Sequence, residues 1–268
     1  MNEAIRSVHD FWSDASCGEE LYLRAVDRDG YTAQMRRRYA LEPFLPVFAQ
    51  ADATGGLDVL EIGVGLGADH QLFAEAGARL SGVDLTERAV EHTRRRLELF
   101  GLHSDLRVGN AESLPFDAAA FDVVYSWGVL HHSPDTPRAI DEVWRVLRTG
   151  GRARVMIYHK HSLVGYMLWL RYALLTGRPL RSLKSIYSEH LESPGTKAYT
   201  IAEARQMFRN FSNVTISTVL THGDLLDSDA GQRHRGVVLT LAKRLWPRPL
   251  LRRLLPTLGL FMLIDATK

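Results

Sequence analysis

From Leu57 onward, short apolar runs alternate with longer segments of helical periodicity. Leu57–Ile62, Arg79–Asp84, Asp105–Gly109, Phe121–Ser126 and Arg152–Tyr158 read as strands, each a brief apolar run. The segments between them are about 12 to 25 residues long, and several are long enough for a crossover helix. This rhythm predicts βαβ units in a parallel sheet, with right-handed connections and helices on both faces.

On either side of this stretch the pattern differs. Residues 1–56 read as a helical segment that closes on the polar turn Asp52-Ala-Thr-Gly-Gly56. After Tyr158 a cap insertion is expected over about 161–199, including the apolar run Leu163–Leu175 with its single Arg171. That run reads either as a cap helix, walling a pocket with Met167, Trp169 and Tyr172, or as a buried core helix. Thr200 and Glu203 form a capping-box pattern ahead of a helix through Phe208. Val214–Leu220 and Leu260–Ile264 read as two further strands. Between them lies a basic insertion over about 229–258, with Arg233, Arg235, Lys243, Arg244, Arg248, Arg252 and Arg253, and no acid between Asp229 and Asp265. Residues 57–268 are therefore expected to form one α/β domain carrying both insertions.

Composition narrows the class. At 268 residues, with 46% hydrophobic and 24% charged positions, the chain can bury a large core. A net charge of +2 gives no argument for nucleic acid. No uncharged apolar stretch reaches 18 residues, so no membrane span is expected, and the start lacks a signal-peptide pattern. The single Cys17 excludes an internal disulfide framework and a CxxC metal site. No His, Asp and Glu share a compact ligand spacing, so no metal is expected. A cytoplasmic protein of undetermined oligomeric state is the default reading.

The candidate chemistry lies at the carboxyl ends of the strands, where open α/β sheets bind ligands. Glu61-Ile-Gly63-Val-Gly65-Leu-Gly67 follows the first strand with GxGxG spacing, not the GxGxxG of dinucleotide enzymes. Asp84 ends the second strand, 19 residues after Gly65, where a carboxylate can accept both hydroxyls of a ribose. Thr86 competes with it as the cap of the next helix. After the third strand comes Gly109-Asn110-Ala111-Glu112-Ser-Leu-Pro-Phe116, and after the fourth Trp127-Gly128-Val-Leu-His131-His132. Val146-Leu-Arg-Thr-Gly-Gly-Arg152 reads as a helix ending in a glycine cap.

These five elements, in this order, resemble the class I S-adenosylmethionine-dependent methyltransferases, most closely a small-molecule branch that includes ubiquinone- and menaquinone-biosynthesis-like enzymes. The specific motifs cover about residues 57–158. The resemblance implies a Rossmann-like seven-stranded sheet of order 3-2-1-4-5-7-6, with Val214–Leu220 as strand six and Leu260–Ile264 as an antiparallel strand seven. It implies S-adenosylmethionine as cofactor, Glu61 near the methionine amino end, and Gly63, Gly65 and Gly67 lining methionine and ribose. Asp84 would hold the ribose hydroxyls and Leu85 would pack on adenine. Asn110 stands where the family usually has Asp, so it offers adenine a neutral acceptor; Ala111 would supply a backbone amide and Glu112 is a weaker member. Trp127 and Gly128 would pass the methionine end.

The implied reaction is in-line methyl transfer to a small-molecule acceptor, expected at oxygen. A hydroxyl acceptor needs a general base, for which His131, His132 and His159 are candidates near neutral pH. Tyr158, His190 and His222 are candidate substrate contacts. A carbon or nitrogen acceptor on an apolar, quinone- or lipid-like molecule is the alternative, as is a non-catalytic cofactor-binding module. A nicotinamide oxidoreductase is disfavoured by the glycine spacing and the lack of a Tyr-x-x-x-Lys pair. Base amino methylation is disfavoured because Ser126-Trp-Gly-Val replaces the Asn/Asp-Pro-Pro-Tyr/Phe motif. The basic insertion reads as a solvated face, an anionic-acceptor site or a peripheral membrane contact.

Overall fold

A computed structural model describes residues 3–227 and 243–268. Arg233 and Arg235, part of the expected basic insertion, lie outside the described residues. The seven strands are β1 (Asp58–Ile62), β2 (Arg79–Asp84), β3 (Asp105–Val108), β4 (Phe121–Trp127), β5 (Leu147–Tyr158), β6 (Ser212–Val219) and β7 (Phe261–Thr267). They form one sheet of order β3-β2-β1-β4-β5-β7-β6. β7 runs antiparallel to both β5 and β6. This is the Rossmann-like strand order expected from the sequence, with its antiparallel last strand in place.

Central strands such as β1 and β4 are buried on both faces, as parallel strands beneath two helical layers must be. One apolar cluster, centred on Leu60, Val124 and Ile140, fills one face. A second, centred on Val59, Phe73 and Tyr125, fills the other. α1 (Glu3–Asp14), α2 (Glu19–Tyr22), α3 (Arg28–Leu41) and α4 (Phe44–Ala49) precede the sheet, and α4 packs on the second face. The crossover helices include α5 (Ala68–Glu75), α6 (Glu87–Phe100) and α7 (Thr136–Val146). α3 is fixed through Arg96 of α6. This fully buried guanidinium donates to Gln71 Oε1, Gln34 Oε1, Leu66 O and Tyr31 O at 2.7–2.9 Å.

One boundary differs from the sequence reading. α7 ends at Val146 with an extended Leu147, not with a glycine cap. Leu147 pairs with Phe121 at once, and the Gly150-Gly151 turn becomes an irregularity before Arg152 pairs with Val123. Strand pairing therefore takes over three residues before the first of the glycines.

Beyond β5 the chain folds back as α8 (Leu163–Trp169), a π-helical turn (Leu170–Leu174) and α9 (Leu183–His190). Ser162 caps α8, and the Tyr187 hydroxyl, 2.7 Å from Ser162 Oγ, ties α9 to that cap. α10 (Ile201–Met207) starts with the expected Thr200–Glu203 capping box. α11 (His222–Leu225) and α12 (Arg248–Leu254) lie between β6 and β7. Among the described residues, no helix is long and apolar enough to cross a membrane.

Candidate active site

Strand order reverses at β1, which pairs with β2 on one side and β4 on the other. At the carboxyl ends of these strands lies a cavity of about 1500 Å³. Its inner wall contains Glu61, Gly63, Gly65 and Gly67 after β1, and Asp84 and Leu85 after β2. It also holds Asn110 and Ala111 after β3, and Trp127 and Gly128 after β4. The fold thus gathers ten of the eleven residues expected around the cofactor. Glu112 is the exception: its carboxylate accepts from Ser133 Oγ at 2.6 Å and Asp135 N at 2.8 Å, so it braces the loop before α7.

The glycine turn is built for close approach. Gly63 has φ +84°, and a Cβ there would run into Val129. Gly65 has φ +51°, but a Cβ would meet nothing within 4 Å, because the space beside it is the cavity itself. Asp84 Oδ2 accepts from the Gly65 amide at 3.2 Å, and Oδ1 from Thr86 N and Oγ1 at 3.0 and 3.1 Å. Thr86 also caps α6. Sequence reading set these two as competitors, and the structure gives each a task. Asp84 fixes the spacing between the two loops and aims its carboxylate into the cavity, although burial raises its pKa. Asn110 uses its carbonyl to accept from Glu112 N at 3.0 Å.

Glu61 meets an unexpected partner. His70 Nδ1 lies 2.8 Å from Glu61 Oε2, and His70 Nε2 lies 2.8 Å from Ser104 Oγ. Ser104 donates its proton to Leu80 O at 2.8 Å, so toward His70 it only accepts. These partners assign the ring hydrogen to Nε2 and leave Nδ1 to accept from a protonated Glu61. Burial acts the same way: it raises Glu61 well above the carboxylate range and lowers His70 to about 3. The pair is neutral.

Beside it, Asp69 at the start of α5 accepts from Arg38 Nη2 at 2.9 Å, Tyr39 Oη at 3.0 Å and Tyr125 Oη at 3.1 Å. Arg38 and Glu42 also line the cavity, 3.9 Å apart at their closest charged atoms. The N-terminal helices therefore supply one charged wall of the site. In the sequence, Arg36-Arg37-Arg38-Tyr39 reads only as part of a helical stretch able to lie over the cofactor, with no partner indicated for Arg38 or Tyr39.

The far wall carries a polar cluster. Tyr158 Oη donates to Glu192 Oε2 at 2.6 Å, and His132 Nε2 stands 3.3 Å from the same oxygen without an aligned hydrogen bond. His132 Nδ1 lies 2.8 Å from Ser193 Oγ and 3.1 Å from Thr196 Oγ1. Thr196 already donates to Ser193 O at 2.7 Å, so it accepts from His132. That contact favours the imidazole hydrogen on Nδ1 and leaves Nε2 buried without a hydrogen-bond partner. Trp12 of α1 packs edge-on against this ring at 5.4 Å.

The other candidate residues are distributed differently. Tyr158 and His222 line the cavity. His131 is fully buried behind that wall, its ring 3.9 Å from the Tyr158 ring, and burial holds its pKa well below 6.5. His159 is also off the cavity, with Nδ1 3.2 Å from Gly259 O. His190 stacks on Tyr172 at 3.9 Å, outside the cavity wall. Of the three expected cap residues only Met167 lines the cavity, since Trp169 donates to Arg181 O at 3.0 Å. Sequence spacing offered no metal ligands, yet the fold brings one donor atom each of His131, His132 and Glu192 within 4.8 Å of one another.

Comparison with known proteins places this arrangement. Residues 60–155 match the family model described as a methyltransferase domain. A probable S-adenosylmethionine-dependent methyltransferase of Mycolicibacterium smegmatis is 39% identical over 101 residues, a segment spanning 38% of each chain. An uncharacterized protein of Mycobacterium tuberculosis is 26% identical over 204 residues, 69% of this chain and 74% of that one. Among solved structures, a Thermotoga maritima protein titled an S-adenosylmethionine-dependent methyltransferase and possible histamine N-methyltransferase shares the fold. Its TM-score is 0.54 at 21% identity, over 87% of this chain and 93% of that one.

Proposed function

We propose that this chain is a class I S-adenosylmethionine-dependent methyltransferase and that it methylates a hydroxyl oxygen on a small-molecule acceptor with an apolar body. S-adenosylmethionine, when bound, supplies a methyl group already activated by its sulfonium. What remains for the protein is to hold the two reactants in line, keep water out and receive the hydroxyl proton. The residues present fit the cofactor. Gly65 leaves room against the backbone, Asp84 offers carboxylate oxygens for the ribose hydroxyls, and Ala111 offers a backbone amide to adenine. Glu61 and Arg38 provide a carboxyl and a guanidinium suited to the amino and carboxylate ends of a methionine.

The observation that carries the oxygen reading is the gap between His132 Nε2 and Glu192 Oε2. Nε2 has no hydrogen-bond partner and stands 3.3 Å from the Glu192 oxygen, in two residues that line the cavity. An acceptor hydroxyl placed there donates to His132, which removes the proton as the oxygen gains the methyl group. Ser193 and Thr196 hold the ring, and Tyr158 keeps Glu192 in place. A carboxylate acceptor would need no base and would be repelled by Glu192. The apolar body follows from the rest of the wall, where Met167, Leu168, Leu191 and Phe261 face the same space.

The direct test is calorimetry with S-adenosylhomocysteine and NAD, followed by methyl-labelled turnover on a panel of apolar alcohols, phenols, amines and carbon acids. Tight S-adenosylhomocysteine binding with label in an alkali-stable ether supports the reading. Label on nitrogen or carbon, or cofactor binding without transfer to any acceptor, overturns it.

A further inference from the structure

Two stretches of the chain separate charge from the rest of the molecule. Residues 161–188 and 243–258 hold nine of the 33 Lys and Arg, and none of the 31 Asp and Glu. The remainder of the chain is consequently net negative. Among the described residues, every leucine exposed by more than a third also falls in these stretches: Leu170, Leu174, Leu175 and Leu180 in one, Leu245, Leu250 and Leu254 in the other. Leu180 is 98% exposed, and Leu175 and Leu245 are 73% exposed. An exposed leucine needs no explanation singly, but seven of them on acid-free basic segments do.

Both stretches border the same cavity. Arg171 and Leu175 are exposed and also form part of its wall, and Lys243 and Trp246 of the second stretch face it as well. Trp246 Nε1 donates to Asp224 O at 3.0 Å, and Asp224 Oδ1 accepts from Val164 N at 3.1 Å, so the two segments are joined at the base. The cavity thus opens to solvent between two rims that interleave leucine with arginine.

We infer that this rim docks on an anionic lipid bilayer, and that the acceptor enters the cavity from it as an amphiphile whose apolar chain comes from the membrane. Charge complementarity selects the occupant. Leucine tips enter the acyl boundary while arginine heads stay at the level of the phosphates, the pattern of an interfacial surface and not of a spanning one. The acceptor half of the inference rests on the methyl-transfer reading; the docking half does not.

The experiment is co-sedimentation of the full chain with phosphatidylcholine vesicles, with and without phosphatidylglycerol, across a salt series. The expected result is binding only to the anionic vesicles, falling about tenfold or more as salt screens the arginines. Leu180→Asp combined with Leu250→Asp is expected to abolish that binding while S-adenosylhomocysteine affinity is unchanged. Arg253→Glu should weaken it in the same assay. Absence of binding to anionic vesicles, or equal binding to both, overturns the docking. So does a dimer in light scattering that Leu180→Asp with Leu250→Asp dissolves, since the face then belongs to a second copy. Vesicle binding without methyl transfer to any vesicle-borne hydroxyl amphiphile overturns the acceptor assignment and leaves the docking standing.

Discussion

The Tyr158 hydroxyl donates to Glu192 Oε2 at 2.6 Å, joining the end of β5 to the loop after α9. That bond holds Glu192 beside His132 at the far wall of the cavity. If His132 is the proton acceptor, His132→Asn lowers kcat by about 100-fold or more. Cofactor affinity stays within about twofold, because the ring contacts no cofactor-side residue. Glu192→Gln, which keeps the shape of the cluster, is expected to reduce kcat less and to move the pH profile of kcat. Chelation with EDTA is expected to leave the rate unchanged, since the proposed transfer of the hydroxyl proton to His132 calls for no metal. Turnover assays on purified variants check all three outcomes.

Glu61 and His70 form a neutral pair in the cofactor-free protein. Glu61→Gln therefore keeps the unfolding free energy within about 1 kcal/mol of the parent, as a neutral hydrogen bond replaces a neutral hydrogen bond. Cofactor affinity should nonetheless drop by about tenfold or more, because an ammonium group loses a group able to ionise beside it. Denaturant titration and calorimetry separate the two effects.

Burial pushes Glu42 up to about 7 despite the Arg38 guanidinium beside it. An unfolded glutamate titrates near its model value of 4.5. Between those limits the folded state binds more protons than the unfolded state, so this residue's contribution falls as pH rises toward 7 and stays low above it. Glu42→Gln is expected to gain on the parent as pH goes from 5 to 8. The ceiling is roughly 3 kcal/mol, and melting temperatures across that range test it.

Two neighbouring glycines should respond differently to alanine. Gly63→Ala meets Val129 and a positive φ, so a loss of more than about 2 kcal/mol in stability is expected. Gly65→Ala meets only a positive φ and should cost about 1 kcal/mol. Its methyl group projects into the cavity, so S-adenosylhomocysteine affinity should fall by much more than its stability does. Chemical denaturation paired with calorimetry gives both numbers.

Much of the cavity wall after β1 to β4 was legible because its signals are local. The GxGxG turn, Asp84 at a strand end and the run of five strands each depend on residues within one βα unit. Gly150-Gly151 misled, because a glycine pair looks like a helix cap until Leu147 is seen to pair with Phe121. The acceptor half was not legible for the opposite reason. Ser193 reaches His132 across 61 residues, and Arg38 reaches Asp69 across 31. No periodicity links such positions; only the folding back of the chain after β5, and of α3 onto α5, brings them together. His131 illustrates the limit further, since two adjacent histidines look equivalent in sequence while one faces the cavity and the other is sealed behind it.

Arg96 binds two backbone carbonyls from different parts of the chain, one in α3 and one inside the glycine turn, and burial lowers its pKa to about 10. No other side chain replaces those donors if either segment moves away. The α3 backbone and the Leu66 carbonyl must therefore order or fray together as one cooperative unit. Ligation at the turn should slow amide hydrogen exchange around Tyr31 and Gln34, on a helix more than 20 residues before the first strand, and Arg96→Leu should uncouple the two.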